Sequence, residues 1–544
     1  MNKIAHYLQE HLLGEVLTSA DARKYFSTDG SVFSVMPSLV VYPRNESDVR
    51  KVARFTWQLA ERGRVVPITA RGKGSDQAGA ALGSGIILGF PAHMNRIVQL
   101  DGKKGTVVIE PGIIYGRLQQ TLHTHGRFLP PYPSSIDFST LGGAIANNAA
   151  GEKTVKYGAT REYVQGLRVV LANGEVIETR RLSKRELSKK MGLATFEGEI
   201  YRNLDTLIEE NRELIENIHV SVTKNSAGYD IVDVKKKGGF DLTPLIVGSQ
   251  GTLGIVTEAT IKTEAYNPHT TLIAAFFEDL DTAKNVVFDL RKLPEIPSAI
   301  EMVDENLLSF LDEHNPNQLK GIVNKPFHKL IMLIEFDNNN DRSRKKLAKR
   351  ALKILNKYNV EYQLETEEEA KTRLWKIRHS AAAAISYTEG NKKALPIVED
   401  GIVPVDKFTE YIHGVYAIFD KHKLKIALWG HAGNANLHMQ PFLDLSQVGD
   451  RQKAFKIIDE YYNLVIRLGG STSGEHSDGR LRAPYLSRMY GEKVYDLFRK
   501  IKAIFDPYGT LNPGVKVDVT LDDIKPLLRS EYSMEHLYDN LPRS

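Results

Sequence analysis

Four side chains in the last quarter of the chain carry residue types suited to metal-assisted chemistry. His431 and His438 stand seven apart in GHAGNANLHMQP, and Glu475 and His476 adjoin in GGSTSGEHSDGR. Imidazole nitrogens and a carboxylate oxygen are suitable ligands for Zn²⁺, Mn²⁺ or Fe²⁺, and three of them leave coordination positions open for a substrate. Adjacent residues on an extended segment point opposite ways, so Glu475 and His476 do different jobs unless the glycine-rich turn redirects one. A single histidine among the 16 of this chain is more often structural than catalytic. The constellation reverses that reading, because both segments are glycine-rich and polar where a core strand would be apolar.

Three further segments are rich in glycine and small residues. Strand VVPITA runs into RGKGSDQAGAALG, where Gly72, Gly74 and Gly79 let the backbone turn tightly and present its N–H groups, and Arg71 or Lys73 adds charge. Such a nest of amides cradles a pyrophosphate, although a plain flexible turn has the same composition. STLGGAIANNAAG (139–151) allows backbone to approach a flat or charged ligand closely, or two helices to pack tightly. GSQGTLGIVTE (248–258) opens a strand. Three such loops in one region, each beside a predicted strand, exceed what turns alone require. No G-x-G-x-x-G follows a first strand, so a Rossmann fold has no support.

The elements that must position these residues fall into two sets. Residues 38–110 read as short strands (LVVYP, VVPITA, GIILGF, IVQL, TVVIEPG) between helical and glycine-rich pieces, followed by a helix over 113–126. GLRVVLANGEVIETR places two strands around Asn173-Gly174, and LIVGSQGTLGIVTEATIKT predicts two more. The first domain closes near Tyr266-Asn267-Pro268. From TLIAAFF to EYQLETE the order becomes β-α-β-β-α-β, which predicts a ferredoxin-like sheet with helices on one face. A further helix, EEEAKTRLWKIRHSAAAAIS, and a strand pair, KIALWGH and NLHMQPF, extend it. The fold class is therefore α+β. The expected divisions are an N-terminal helical segment (1–36), a cofactor domain (37–267), a substrate and metal domain (268–518) and a surface tail (519–544).

With 544 residues, 42% of them apolar, the chain is long enough for more than one hydrophobic core. It has no cysteine, which excludes disulfides, thiol catalysis and cysteine-ligated clusters within it, so any redox chemistry needs a bound organic cofactor. The net charge of +5 is modest, and the basic stretches RRLSKRELSKK, VKKKGG and DRSRKKLAKR read as solvated faces rather than as a surface for an anionic partner or a membrane, and no nucleic-acid partner is expected. No apolar run reaches the roughly 20 residues needed to span a bilayer, and the opening MNKIAHYLQEHLLGEVL has no secretory pattern. The expected location is cytoplasmic, with at most peripheral contact at the inner membrane face.

RGKGSDQAG, PYPSSIDFSTLGGAIANNAAG, KYGATREYVQGLRVVLANGEVI and GSQGTLGIVTE together resemble the FAD-contacting segments of the vanillyl-alcohol-oxidase and para-cresol-methylhydroxylase (PCMH) flavoproteins over residues 38–516. The likeness is to the branch holding glycolate oxidase, D-lactate dehydrogenase and D-2-hydroxyglutarate dehydrogenase. It implies a PCMH-type FAD-binding domain followed by a ferredoxin-like substrate or cap domain. It further implies that Arg71, Gly72, Lys73, Gly74, Ser75 and Asp76 bind the pyrophosphate. Ser134, Ser135, Thr140, Gly142, Gly143 and Asn147 would line the flavin, and Gly251, Gly254, Ile255 and Asn512 would complete its site. No histidine lies in these loops, so the FAD is expected to be non-covalent.

The same resemblance makes His431, His438 and Glu475 ligands of one divalent metal (Zn, Mn or Fe) and His476 the catalytic base. Arg378, one helical turn beyond Leu374, would pair bidentately with a substrate carboxylate, and Lys393 would supply a second contact. The residues alone allow Arg378 to be a surface cation on an amphipathic helix. Departures from the family pattern are Lys73, Asp76-Gln77, Gln250, Asn434-Ala435 and Ser477-Asp478. The implied activity is oxidation of a small 2-hydroxy acid, D by resemblance, with hydride passing to flavin N5. Electrons would then go to an external acceptor: a quinone, an electron-transfer flavoprotein, a cytochrome or an iron–sulfur subunit. A homodimer is an assembly open to it. The competing readings are a transferase like alkyl-dihydroxyacetonephosphate synthase and a non-catalytic flavoprotein subunit.

Overall fold

A computed structural model describes residues 3–543 except 237, 315, 321, 324 and 380–391. The helix expected over 367–386 is present as Glu368–His379, and the rest of that expectation lies outside the described residues. Among the described residues no helix is long and apolar enough to cross a membrane.

The N-terminal half is built on a four-stranded and a five-stranded sheet, with Arg127–Phe128 and Glu264–Ala265 pairing separately. In the first, the strands lie in the order Glu15–Leu17, Leu39–Tyr42, Ile86–Gly89 and Ile68–Arg71, the first pair antiparallel and the rest parallel. The opening segment, expected to be helical, thus also supplies an edge strand. In the second, five antiparallel strands run Ile97–Asp101, Thr106–Ile109, Ile255–Lys262, Val164–Val170 and Val176–Thr179. The hairpin at Asn173-Gly174 forms as expected because Gly174 takes φ +84° and the Asn173 carboxamide accepts from Glu175 N–H at 2.9 Å. Of the two strands expected in LIVGSQGTLGIVTEATIKT only Ile255–Lys262 exists. The other run caps a short helix, Thr243–Ile246, started by Pro244 at its first turn.

The second half is built on six antiparallel strands in the order Glu361–Glu365, Thr271–Phe277, Leu330–Phe336, Ala299–Asp304, Leu428–His431 and Asn436–Met439. The first four have the 4-1-3-2 order of a ferredoxin-like sheet. Helices were expected on one face only; both faces are covered. Ile273, Ala275, Ile300, Met302, Met332, Ile334, Leu428, Leu437 and Met439 belong to the core under helices Leu280–Arg291, Asp341–Lys357, Phe408–Lys421 and Val448–Arg467. Residues of the opposite parity, among them Leu272, Ala299, Val303, Leu333 and Trp429, pack toward helices Glu305–His314 and Glu368–His379. Burial on both sides is why these strands are continuous apolar runs rather than alternating ones.

The chain then returns to the first half. Val494, Leu497, Phe498, Ile501 and Phe505 of helix Glu492–Phe505 enter the core of the five-stranded sheet, and Leu511 bridges to Ile68. Residues beyond 519, expected to be a surface tail, are docked. Arg529 donates to Asp29 O, Tyr532 OH to Gly30 O, and the His536 ring to Gly74 O at 2.9 Å.

Candidate active site

The second sheet face carries the chemistry. Trp429 pairs with His438 and His431 with Asn436 across the final hairpin, while Met302 pairs with Gly430. With side chains alternating, His431, His438 and Glu301 share one face. Gly430 sits at φ +146°, where a Cβ would lie 2.7 Å from Asn436 O, so only glycine permits this close hairpin. Glu301 is an acid in the middle of an apolar strand, 1% exposed, and it joins two partners. The Arg378 guanidinium donates to its Oε2 at 2.8 Å and His431 Nδ1 contacts its Oε1 at 2.7 Å.

Glu475 and His476 reach the same centre because the turn after them is bent. Ser477 takes φ +61°, and the backbone N–H groups of Glu475 and His476 both donate to the Asp400 carboxylate, at 3.1 and 2.8 Å. Glu475 Oε1 then lies 3.0 Å from His431 Nε2 and 3.1 Å from His438 Nε2. Its other oxygen, Oε2, accepts from Lys224 Nζ at 2.6 Å. His476 Nε2 is 3.8 Å from Glu475 Oε1, and its Nδ1 is held by Glu399 at 2.8 Å. Glu399 also meets His438 Nδ1 at 3.3 Å and is clamped by the fully buried Arg482.

The electrostatics follow from burial opposed by charge. Burial alone would lower the His476 pKa, but Glu399 and Asp400 push it up to about 9. Burial likewise opposes ionisation of Glu399 and Glu475. The His476 imidazolium and Arg482 hold Glu399 far below the usual carboxylate range, and His431 and Lys224 do the same for Glu475.

Among the described residues two sets of donors converge closely enough for an ion: His431, His438 and Glu475, and Glu399, His438 and His476. The first set fits better. Two ligand atoms about 2.1 Å from one ion lie roughly 3.0 to 3.4 Å apart at tetrahedral or octahedral angles, matching the 3.0 and 3.1 Å separations here. In the second set the carboxylate is already neutralised by Arg482 and faces the Nδ1 atoms, where it anchors the rings.

In the first half of the chain the glycine loops meet one another. Thr140 caps helix Leu141–Asn147 by accepting from Gly143 N–H, and a Cβ on Gly72 would stand 2.3 Å from its Oγ1, so the first two loops touch only because Gly72 has no side chain. Gly251, at φ +73°, has nothing nearer than 3.9 Å to where a Cβ would be, and Gly143 meets only the Thr140 hydroxyl. Backbone with so little side-chain cover at the meeting of three loops is the kind of cradle a flat cofactor needs.

Residues 37–180 match the FAD binding domain family, and residues 266–515 match the family of FAD linked oxidases, C-terminal domain. The chain thus carries, in order, an FAD binding domain and the C-terminal domain of FAD linked oxidases. It is 31% identical over 534 residues to D-2-hydroxyglutarate dehydrogenase of Escherichia coli, covering 94% of this chain and 51% of that protein. It thus spans about half the length of the first relatives it matches. It is 29% identical to glycolate oxidase subunit GlcD of Bacillus subtilis, covering 92% of each chain. The solved structure of p-cresol methylhydroxylase with substrate bound superposes with a TM-score of 0.70 at 15% identity, covering 96% of this chain and 97% of that one, which shows the PCMH-type fold.

In the FAD binding domain and the loops that meet it, the expected residues are placed unevenly. Gly72 and Thr140 meet directly and Asn147 joins Asp76 to Gln250, so these residues lie where the loops meet, with Gly143 and Gly251 beside them; Gly142 is packed against Pro111 and Gly74 against the Arg71 guanidinium, and Ser134 is exposed and Ser135 half-buried. Arg71, expected on the pyrophosphate, is turned inward. It is 2% exposed, donates to Phe26 O, Thr28 O and Ala81 O, and lies over the Phe26 ring. Lys73 reaches toward Asp539 O instead. Asp76 faces its own loop, accepting from Ala78 N–H, Ala80 N–H and the Asn147 carboxamide. Asn512 is spent as a brace between Thr69, Ala80 O and Gln250 O. Gly254 and Ile255 are core positions against Val169 and its neighbours.

Arg378 reaches the cluster, but the Nε and NH2 edge of its fork is taken by Glu301. Lys393 lies half-buried in the short strand Lys393–Ala394 and, among the described residues, makes no ion pair with the cluster. Sequence reasoning missed Glu301, Glu399, Asp400, Lys224 and Arg482. Signals existed for three: a single acid inside AIEMV, and two adjacent acids in IVEDG beside a glycine.

Proposed function

We propose that the protein oxidises a small 2-hydroxy acid to the 2-oxo acid, with FAD as hydride acceptor and a divalent metal at His431, His438 and Glu475. The observation that carries this is the convergence of two imidazole Nε2 atoms on one oxygen of Glu475, at 3.0 and 3.1 Å, beside a third imidazole anchored through its far nitrogen. The relatives named as dehydrogenases of D-2-hydroxyglutarate and as a glycolate oxidase subunit support the same class.

Bound metal would supply Lewis-acid polarisation of the substrate hydroxyl and carboxylate, and bound flavin the hydride acceptor. The chain's own residues do the rest. Glu399 holds His476 by Nδ1, so once the imidazolium proton has left, driven off by the positive charge of an ion at the neighbouring ligands, Nε2 is the atom left to take the hydroxyl proton. Arg378, fixed by Glu301 along one edge, keeps its NH1 edge for the substrate carboxylate. Its expected bidentate role therefore falls to the edge away from Nε. Burial of Glu301, Glu399 and Glu475 excludes water from behind the reacting groups, so these interactions act at low dielectric.

The test is anaerobic mixing of purified protein with a panel of D- and L-2-hydroxy acids, followed by flavin absorbance near about 450 nm. Bleaching that EDTA abolishes and added metal restores is the expected result. A yellow protein that no acid bleaches would sink this reading and favour a transferase without net oxidation.

A further inference from the structure

Thr223, Lys224, Asn225 and Ser226 belong to the cofactor half of the chain, yet they are laced onto the substrate half. Asn434 Nδ2 donates to Thr223 Oγ1 at 2.7 Å, Ser471 Oγ donates to the Asn225 carboxamide at 2.8 Å, and Ser226 N–H donates to Ser473 O at 3.1 Å. Within that seam Lys224 puts its ammonium 2.6 Å from Glu475 Oε2, the two side chains being 3% and 5% exposed. The two oxygens of Glu475 therefore have separate partners: Oε1 faces both His Nε2 atoms, and Oε2 faces Lys224.

A carboxylate can bind a divalent ion through one oxygen or through both. We infer that Lys224 is a positioning residue that restricts Glu475 to one-oxygen ligation, so that the coordination positions a chelating carboxylate would fill stay open for the substrate's hydroxyl and carboxylate oxygens. The inference rests on the metal reading above. It implies an opposition of effects, because a buried ammonium beside the ion repels it. Lys224 weakens metal binding while it preserves room for substrate. A lysine that only stabilised the loop would strengthen metal binding instead.

The FAD-loaded full-length protein is stripped of metal with chelator and titrated with Co²⁺ against a competing chelator, in wild type, Lys224→Met and Lys224→Arg. Oxalate, which chelates through two oxygens as a 2-hydroxy acid would, is then added, and the Co²⁺ visible spectrum is followed. The expected result for Lys224→Met is a Co²⁺ dissociation constant lowered at least tenfold, together with an oxalate requirement raised at least tenfold. Lys224→Arg, which keeps a charged donor, restores the wild-type spectrum. Weaker Co²⁺ binding by Lys224→Met, or an unchanged oxalate response, overturns the inference while leaving the metal site standing. Should Lys224→Met not fold, Lys224→Gln carries the same metal prediction, since it too removes the charge. If wild type binds no Co²⁺ in a manner abolished by His431→Ala, the metal reading fails and this inference with it.

Discussion

Replacing Glu301 with glutamine changes one oxygen to an amide nitrogen at nearly constant volume, in a position 1% exposed. The native carboxylate accepts from Arg378 on Oε2 and from His431 Nδ1 on Oε1. A carboxamide has one acceptor end and one donor end, and Arg378 offers only donors, so the amide oxygen must stay with Arg378. The NH2 group then faces His431 Nδ1, which can receive it only as the unprotonated nitrogen. The proton moves to His431 Nε2, the atom aimed at Glu475, and a protonated nitrogen cannot ligate a metal. Loss of such an outer partner costs about 10- to 100-fold in metal affinity, or about 1.4 to 2.7 kcal/mol. Competition titration of Zn²⁺ against a chelating dye at pH 7.5 measures it. Glu301→Gln combined with Arg378→Met tests that cause: without Arg378 the carboxamide is free to turn its oxygen to His431 Nδ1, so the metal defect should be relieved along with the stability cost of a broken buried pair, about 3 to 5 kcal/mol. A Zn²⁺ dissociation constant within threefold of wild type in Glu301→Gln would refute the tautomer argument.

His476→Gln is expected to slow flavin bleaching by about 10²- to 10⁴-fold while bound metal, measured by elemental analysis, stays at the wild-type ratio; loss of metal instead would make His476 a ligand. Ala435 occupies φ +53°, where a Cβ costs about 1 to 2 kcal/mol, so Ala435→Gly should stabilise the protein by up to about 1 kcal/mol in urea, net of the added backbone entropy. His536 of the docked tail is held to a pKa of about 4 by burial first and then by Arg71 and Arg529. Its folded pKa lies below the unfolded value of about 6.5, so its contribution is complete above pH 6.5 and is lost as pH falls toward 4, about 3 kcal/mol in all. Proteolysis of the tail should therefore rise between pH 6.5 and 4.5 in wild type, and much less in His536→Gln.

The fold was legible where local chemistry and global placement agree. TLIAAFF and KLIMLIEF are apolar at nearly every step, with partners buried on both faces, and the β-α-β-β-α-β order translated directly into a 4-1-3-2 sheet. The second covered face was hidden because helix Glu305–His314 has no loop signal to separate it from strand Ala299–Asp304 before it. The loop glycines were legible because their reason is local: Gly251 needs a positive φ and Gly72 a missing Cβ. Polar roles in the same loops were not. Arg71 and Asp76 look like phosphate partners in one dimension, but Phe26, Thr28 and Ala81 claim the first and the loop's own N–H groups claim the second. Their competitors lie on other elements or depend on how the loop closes. Glu399 and Lys224 went unnoticed for the same cause, each completing a cluster whose other members are 39 to 251 residues away.

Charge at the centre bears on which acid the proposed reaction would take. Glu301, Glu399, Asp400 and Glu475 are set against Arg378, Lys224 and Arg482, which leaves one negative charge in excess in the state that counts for turnover, with His431 and His438 neutral as ligands and His476 deprotonated to act as base. The neighbouring group of Lys153, Lys156, Glu335 and Asp337 is balanced within itself and adds nothing. A divalent ion at the three ligands turns that excess to one positive charge, which a single substrate carboxylate cancels. A 2-hydroxydicarboxylate would bring a second negative charge into a region whose side chains are almost wholly buried, and an unpaired buried charge costs several kcal/mol. It would need a cation outside this set, and half-buried Lys393 is the one the sequence nominated. A monocarboxylate such as lactate or glycolate should accordingly show the higher kcat/KM. If 2-hydroxyglutarate is preferred, Lys393→Met should abolish that preference while leaving lactate turnover intact; a preference that survives the substitution would mean the balancing cation lies elsewhere.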